Sequence, residues 1–322
     1  MKKGVFKKLP DGAVLSQLTK YNLPETIVLR ADGTSMYHTQ DLRLTELKRK
    51  TFPSDLYIWD IGPEQSLYLK QLFDMCEELG IGKRSDYLHL SYGFVFLKTG
   101  EKMSSREGNV ISADWLMDEM VGRARKIIDD TKTAKMLSNK EKDEIAESVG
   151  IGAIKYGFLK TARETDIHFD LDESLSLEGN SAPYLQYTVA RTQSVLAKSK
   201  RVKEQESKRY NNLAIEQFSN YNNEELLLLR SFIHFPEIIE AAATNYSPNL
   251  LCNYLFDLAQ KFNNFYNQHR ILDKANVDKS KTQHTINYSP NTQVFRLALT
   301  AATGQILKNG LNILGIDTLS KM

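Results

Sequence analysis

Lys102, Ser104, Ser105 and Arg106 stand in one short run, Lys102-Met103-Ser104-Ser105-Arg106-Glu107-Gly108-Asn109, just after a Lys98-Thr99-Gly100 turn. A flexible loop carrying two cations and two hydroxyls can follow a phosphoryl group through a reaction and stabilise the charge it develops. The same residues also suit an exposed basic turn. A second cluster lies upstream, where the run from Leu29 to Asp41 ends an apolar segment and opens a helical one. Tyr37 and Asp41 stand at i and i+4, so on a helix they share a face and offer a ring and a carboxylate to one ligand. A guanidinium stacks on a ring and takes a carboxylate through two parallel N–H donors, so the pair suits that group. A capped helix with a surface aspartate is the competing reading.

Other chemistries lack their residues. H-E-x-x-H, G-x-x-x-x-G-K-[ST] and G-x-S-x-G are all absent, which leaves metalloprotease, P-loop and nucleophile-elbow hydrolase readings without support. Gly150-Ile151-Gly152 has the opening of a dinucleotide loop, but Lys155 stands where the third glycine belongs and the segment reads as mid-helix. Cys76 and Cys252 lie far apart and neither is in a C-x-x-C pair. Neither a disulfide framework nor a cysteine zinc site is therefore expected, and the scattered histidines suggest no metal site.

The elements that must position these residues change in kind along the chain. Over the first part, apolar runs at Thr26 to Arg30, Asp55 to Ile61 and Tyr92 to Leu97 read as strands. Thr34 to Lys50 and Pro63 to Leu79 carry helical spacing between them, so a parallel α/β sheet is expected. Beyond residue 112 helical periodicity takes over. Ser138 with Glu141 reads as a capping box, and Leu185, Val189, Thr192 and Leu196 form one stripe of a long helix. Ser247-Pro248 opens another helix, and a last one spans about Thr292 to Leu314. Lys198 to Asn223 reads as a mobile insertion and Asp273 to Asn291 as a polar loop. The expected organisation is an α/β domain over 1–112, a charged helical connection over 113–140 and an all-α bundle over 141–322.

Composition sets outer bounds. The 322 residues suffice for about two domains. With 42 Lys+Arg against 40 Asp+Glu, 41% hydrophobic and 25% charged residues, the chain is of ordinary globular type, which excludes disorder and collagen-like structure. No stretch approaches a membrane span and the first residues make no signal peptide, so a cytoplasmic protein is expected. Any polyanion must be met locally. Arg123, Arg125, Lys126, Lys132 and Lys135 are one candidate patch and Lys198 to Arg209 another, with solvated helix faces as the alternative in each case.

Taken together, these motifs resemble the arginyl-tRNA synthetases, a family of class I aminoacyl-tRNA synthetases. Leu29 to Asp41 resembles the family's arginine-site segment, Gly62-Pro63-Glu64-Gln65 its next site strand, and Lys102 to Asn109 its variant of the Lys-Met-Ser-Lys-Ser loop. Val149 to Tyr156, Leu177 to Asn180, Pro183 to Tyr187, Phe262 to Asn267 and Arg296 to Leu299 resemble its anticodon-binding domain. The likeness runs from about residue 10 to Met322 in family order. It implies a partial Rossmann-like class I catalytic domain followed by an α-helical anticodon-binding bundle. It further implies that Tyr37, Asp41 and Gln65 hold arginine, that Lys102, Ser104 and Arg106 act on the ATP phosphates, and that Met103 packs by the adenine. Tyr184, Tyr187, Tyr266 and Met322 would meet the anticodon, where base stacking on aromatic rings is worth about 1 to 3 kcal/mol per base.

The departures carry equal weight. The family's N-terminal domain and the catalytic half bearing His-x-Gly-His find no counterpart here, and Tyr68 stands where the family usually has histidine. The resemblance thus implies an arginine-tRNA ligase that uses ATP as substrate, with Mg2+ accompanying it, and that is completed by the missing N-terminal half, joined to this chain or supplied separately. Its partners would be arginine and the tRNA for arginine. A non-catalytic tRNA-binding module derived from such an enzyme is the alternative.

Overall fold

The computed structural model describes residues 4–98, 112–206, 221–272 and 290–319. Two compact units emerge, one formed by Met1–Phe94 with Glu164–Asp166 and the other by Val95–Arg163 with Ile167–Met322. The architecture is α/β followed by all-α.

The first unit opens with β1 (Phe6–Lys8), β2 (Val14–Ser16) and β3 (Ile27–Leu29), an antiparallel sheet in that order. The expected strand at Thr26 to Arg30 thus exists, but it joins an antiparallel sheet rather than a parallel one. The reason lies in its connection. Between β2 and β3 the chain makes only a 3-10 turn at Thr19–Tyr21 and reverses at Asn22, whose φ is 57°. A parallel return needs a crossover of a dozen or more residues. Next come α1 (Tyr37–Thr51), β4 (Tyr57–Asp60), α2 (Ser66–Leu79) and β5 (Tyr87–Leu90). Here the crossover exists, and β4 pairs with β5 in parallel, from Tyr57 opposite Tyr87 to Asp60 opposite Leu90. Gly80 ends α2 at φ 71°, donating its N–H to the carbonyls of Cys76 and Glu77, a left-handed cap that suits glycine. Leu42, Leu69, Leu72, Phe73 and Tyr87 build the core beneath.

The second unit begins with β6 (Val95–Leu97), which pairs in parallel with β7 (Ile167–Phe169). Around it lie α3 (Ala113–Asp129), α4 (Asn139–Leu159) and the short α5 (Leu171–Ser174). The bundle continues with α6 (Ala182–Glu206), α7 (Asn223–Thr244), α8 (Pro248–Gln268) and α9 (Pro290–Ile313). Caps written in the sequence form as expected at Ser138, whose side chain accepts from the Glu141 N–H while Glu141 answers to the Ser138 N–H. Asn222 and Glu225 repeat that device at the start of α7. Of the α6 stripe, Leu185, Val189 and Thr192 are fully buried and Leu196 partly so, and Leu185 and Val189 pack with Leu251, Leu255, Leu258 and Phe262 of α8.

Two expectations are revised. α3 is no mere connection: Leu116, Met120 and Ala124 pack with Ile145 and Val149 of α4 in the core of the helical unit. Lys198 to Asn223 is not an insertion throughout, since α6 runs on to Glu206. Lys, Arg, Glu and Gln have good helix propensity and extend a helix already fixed by its buried stripe. Residues 207–220, and the polar loop expected from Asp273, lie outside the described residues apart from the ends taken into α7 and α9. Gly150-Ile151-Gly152 lies within α4, where a Cβ on Gly150 would meet the backbone N of Val121 at 2.8 Å. The glycine lets α3 and α4 approach closely and makes no nucleotide loop.

Candidate active site and nucleic-acid interface

In the first unit the site residues gather where α1 and α2 begin. A turn at Arg30 to Thr34 delivers the chain to α1. Asp32 accepts from the Thr34 N–H at 2.9 Å and hydroxyl at 2.7 Å, and Gly33 adopts φ 82°. Thr39 Oγ1 then donates to the Val28 carbonyl at 2.6 Å, tying the first turn of α1 to β3. Tyr37, the first residue of α1, is 76% exposed and free to form one wall for a ligand.

Asp41, one turn on, faces α2, and its Oδ2 accepts a hydrogen bond from the hydroxyl of Tyr68. Tyr68 in turn lies over His38, with ring centroids 4.2 Å apart. Burial, reinforced by the bond to Asp41, pushes the Tyr68 phenol above its usual range, while burial holds His38 below its own. Near neutrality Tyr68 is therefore a neutral phenol and His38 a neutral imidazole. Gln65 sits exposed three residues before Tyr68, at the point where the 3-10 turn Pro63–Gln65 becomes α2. Asp41 and the Gln65 segment are thus linked through Tyr68, a residue that the sequence marked only as a departure from the family pattern.

A cavity of about 530 Å³ runs along β5 and past its carboxyl end, lined in part by Pro63, Ser66, Lys70, His89, Ser91 and Tyr92. Ligands of parallel α/β sheets bind in this position, outside the carboxyl ends of the strands. Nε2 of His89 donates to the Ile61 carbonyl at 2.8 Å and fixes the rim between the two strands.

Lys102, Met103, Ser104 and Arg106 lie outside the described residues, as does Met322. The residues that flank the first four in the chain are described. Lys98, directly after β6, donates its N–H to the Phe169 carbonyl at 3.0 Å and places its ammonium 2.9 Å from Oδ2 of Asp170. Ser112 caps α3 on the other side, accepting from the Trp115 N–H at 3.1 Å.

In the helical unit the three tyrosines separate into two roles. Tyr184 packs edge-on against Phe256, and its hydroxyl accepts from Nδ2 of Asn263 at 2.9 Å, so it belongs to the bundle's interior framework. Tyr187 and Tyr266 are 36% and 39% exposed. Between their rings lies the guanidinium of Arg191, 4.7 Å from the centroid of Tyr187 and 5.0 Å from that of Tyr266. Nη1 of Arg191 donates to Oδ1 of Asn263 at 2.6 Å, which orients the fork from below. Two aromatic faces and an oriented guanidinium form a surface on which unstacked bases can lie. Arg191 and Asn263 were not among the expected site residues. The clue was their spacing, with Arg191 at i+4 from Tyr187 and Tyr266 at i+3 from Asn263.

The basic stretch on α3 offers less to a polyanion than its sequence suggests. Arg123 pairs with Glu119 at 2.7 Å and with Asp172, and Arg125 pairs with Asp129 at 3.2 Å and with Asp143. Among the described residues no group of three or more His, Cys, Asp or Glu side chains is placed to hold a metal ion. Among them, too, no helix is long and apolar enough to cross a membrane.

A parallel α/β element joined in one chain to a helical bundle with an aromatic and guanidinium surface is the arrangement of a class I aminoacyl-tRNA synthetase. Residues 1–171 match the family of tRNA synthetases class I (R), catalytic domain, and residues 185–322 match the DALR anticodon binding domain. The chain belongs to the arginyl (R) family of class I tRNA synthetases. It is 36% identical over 322 residues to the arginine–tRNA ligase of Flavobacterium psychrophilum, covering 99% of this chain and 49% of that one. It is likewise 36% identical to that of Parabacteroides distasonis, covering 100% and 51%. The chain spans about half the length of these curated relatives. Among solved structures, the arginyl-tRNA synthetase of Thermus thermophilus superposes with a TM-score of 0.75 at 23% identity, over 97% of this chain and 54% of that one. That of Plasmodium falciparum gives 0.75 at 20% identity, over 100% and 50%. At such identities the structural likeness speaks for the fold.

Proposed function

We propose that this chain supplies the arginine pocket, the phosphate loop and the anticodon-reading domain of an arginine–tRNA ligase. The observation that carries the reading is the Asp41 carboxylate, one turn along α1 from Tyr37 and hydrogen-bonded by Tyr68, which stands three residues after Gln65 on α2. In the first step the carboxylate of arginine attacks the α-phosphorus of ATP, giving arginyl-adenylate and releasing pyrophosphate. A ribose hydroxyl at the end of tRNA then attacks the adenylate carbonyl, taking the arginyl group and releasing AMP. Tyr37, Asp41 and Gln65 hold the side chain of arginine. Lys102, Ser104 and Arg106 stabilise charge on the phosphates, and Met103 packs against the adenine. Magnesium arrives with ATP as its counterion.

Tyr187 and Tyr266 receive anticodon bases, Tyr184 supports them from within, and Met322 contributes to tRNA binding. The activity draws on a further catalytic half, in keeping with relatives about twice as long, and that half is either joined to this chain or a separate polypeptide. The test is charging of tRNA with labelled arginine in the presence of ATP and magnesium, by the chain alone and with an N-terminal half from a relative added. Charging under either condition supports the ligase. No charging under both, with tRNA binding retained, favours the second reading, a tRNA-binding module. The Tyr187, Arg191 and Tyr266 group supports that second reading, because it is assembled wholly within the helical unit.

A further inference from the structure

Tyr68 has no role in the assignments above, yet it makes a side-chain hydrogen bond that bears on how Asp41 is presented. Its hydroxyl donates to Oδ2 of Asp41, and its ring lies over the buried His38 at 4.2 Å with the planes inclined by 38°. A carboxylate offers about four lone-pair sites on its two oxygens. Tyr68 occupies one of them, on Oδ2, and leaves Oδ1 together with the rest of Oδ2 for an incoming donor. An aspartate on a helix surface would otherwise sample several rotamers and would have to be ordered by the ligand, at a cost to affinity.

We propose that Tyr68 is a positioning residue for the ligand's cationic group, holding the Asp41 carboxylate in one orientation before the guanidinium arrives. The inference rests on the reading of Asp41 as the arginine-binding carboxylate. A phenol suits the task because it donates without bringing a positive charge. A lysine or a protonated histidine in its place would neutralise Asp41 and repel the guanidinium. The titratable groups that sense this carboxylate are His38 on α1, and Tyr68 and Cys76 on α2; β3 contributes none. Burial keeps His38 neutral and raises the Cys76 thiol to about 12, so neither changes charge near neutrality.

Isothermal titration of the whole chain with L-arginine, between about pH 6 and pH 8.5, tests this against Tyr68→Phe, Tyr68→His and Asp41→Ala. The wild-type chain is expected to bind arginine with little pH dependence of affinity, and Asp41→Ala to lose binding. Tyr68→Phe should weaken binding roughly three- to tenfold at every pH, the range of one hydrogen bond. Tyr68→His should bind progressively more weakly as pH falls, because an imidazole beside a carboxylate becomes protonated in that range. A purely structural role for Tyr68 would move the melting temperature and leave that pH profile flat. Arginine binding that needs Asp41 but is unchanged in Tyr68→Phe and has no pH slope in Tyr68→His overturns the inference while leaving the arginine pocket standing. Absence of arginine binding in the wild-type chain, or binding unaffected by Asp41→Ala, overturns both.

Discussion

The guanidinium of Arg191 lies 4.7 Å from the ring centre of Tyr187, one turn away on α6, and both remain open to a ligand while Asn263 holds the guanidinium from beneath. Each partner fixes the other, since the cation is attracted to the ring face and the hydrogen bond prevents it from swinging away. Tyr187→Ala should therefore weaken tRNA binding by roughly 5- to 100-fold, the span of one lost base stack. Arg191→Ala should weaken it too, whereas Tyr187→Phe should be close to wild type because it keeps the ring proposed to receive the base. Filter binding at one fixed salt concentration reads all three, and an unchanged affinity in Tyr187→Ala would remove this surface from the tRNA interface.

A buried ion pair ties the ends of the bundle together. Nε of Arg296 on α9 donates to Oε1 of Glu225 on α7 at 2.8 Å, and its Nη1 donates to the Arg270 carbonyl at 2.8 Å. Glu225 also serves the capping box of α7. Glu225→Ala removes both functions and takes a carboxylate away from the buried Arg296 guanidinium, so a loss of about 3 to 5 kcal/mol is expected. Glu225→Gln keeps a side chain that can cap the helix and should cost less. Urea unfolding of the two variants gives the comparison.

Acid should loosen the first unit through His38. Burial holds its folded-state titration below the ordinary value of 6.5. As pH falls through the unfolded value the unfolded chain takes up a proton that the folded chain refuses, so stability is lost on acidification. The contribution is fully present above the unfolded value and declines between it and the lower folded one. His38→Leu should remove that part of the slope, which urea midpoints measured at about pH 7.5 and about pH 5 would show.

Two glycines only 28 positions apart should answer the same substitution with opposite signs. Gly122, exposed in the middle of α3, has open space where a Cβ would go, and Gly122→Ala should gain about 0.5 to 1 kcal/mol in helix propensity. At Gly150 the new Cβ would meet backbone atoms of Val121 at 2.8 and 2.9 Å, so α3 and α4 must separate. Gly150→Ala should cost about 1 to 3 kcal/mol. Melting temperatures of the two variants settle the signs.

The sequence by itself determined whatever rests on local physics. The change from alternating strand and helix to continuous helix, the cap at Ser138, and the α6 stripe follow from periodicity and capping, which act over a turn or two of chain. The spacing of Tyr37 and Asp41 could be read for the same reason. What only the tertiary structure decided depends on residues remote in sequence. The strand at Ile27–Leu29 became antiparallel because of the short path from β2. The basic run on α3 was matched by acids from α4 and α5 as well as its own helix. Tyr68 found Asp41 across 27 residues, and Arg191 found Asn263 across 72. Such pairings carry no periodic signal, because they are set by how helices pack and which side chains that packing leaves in reach.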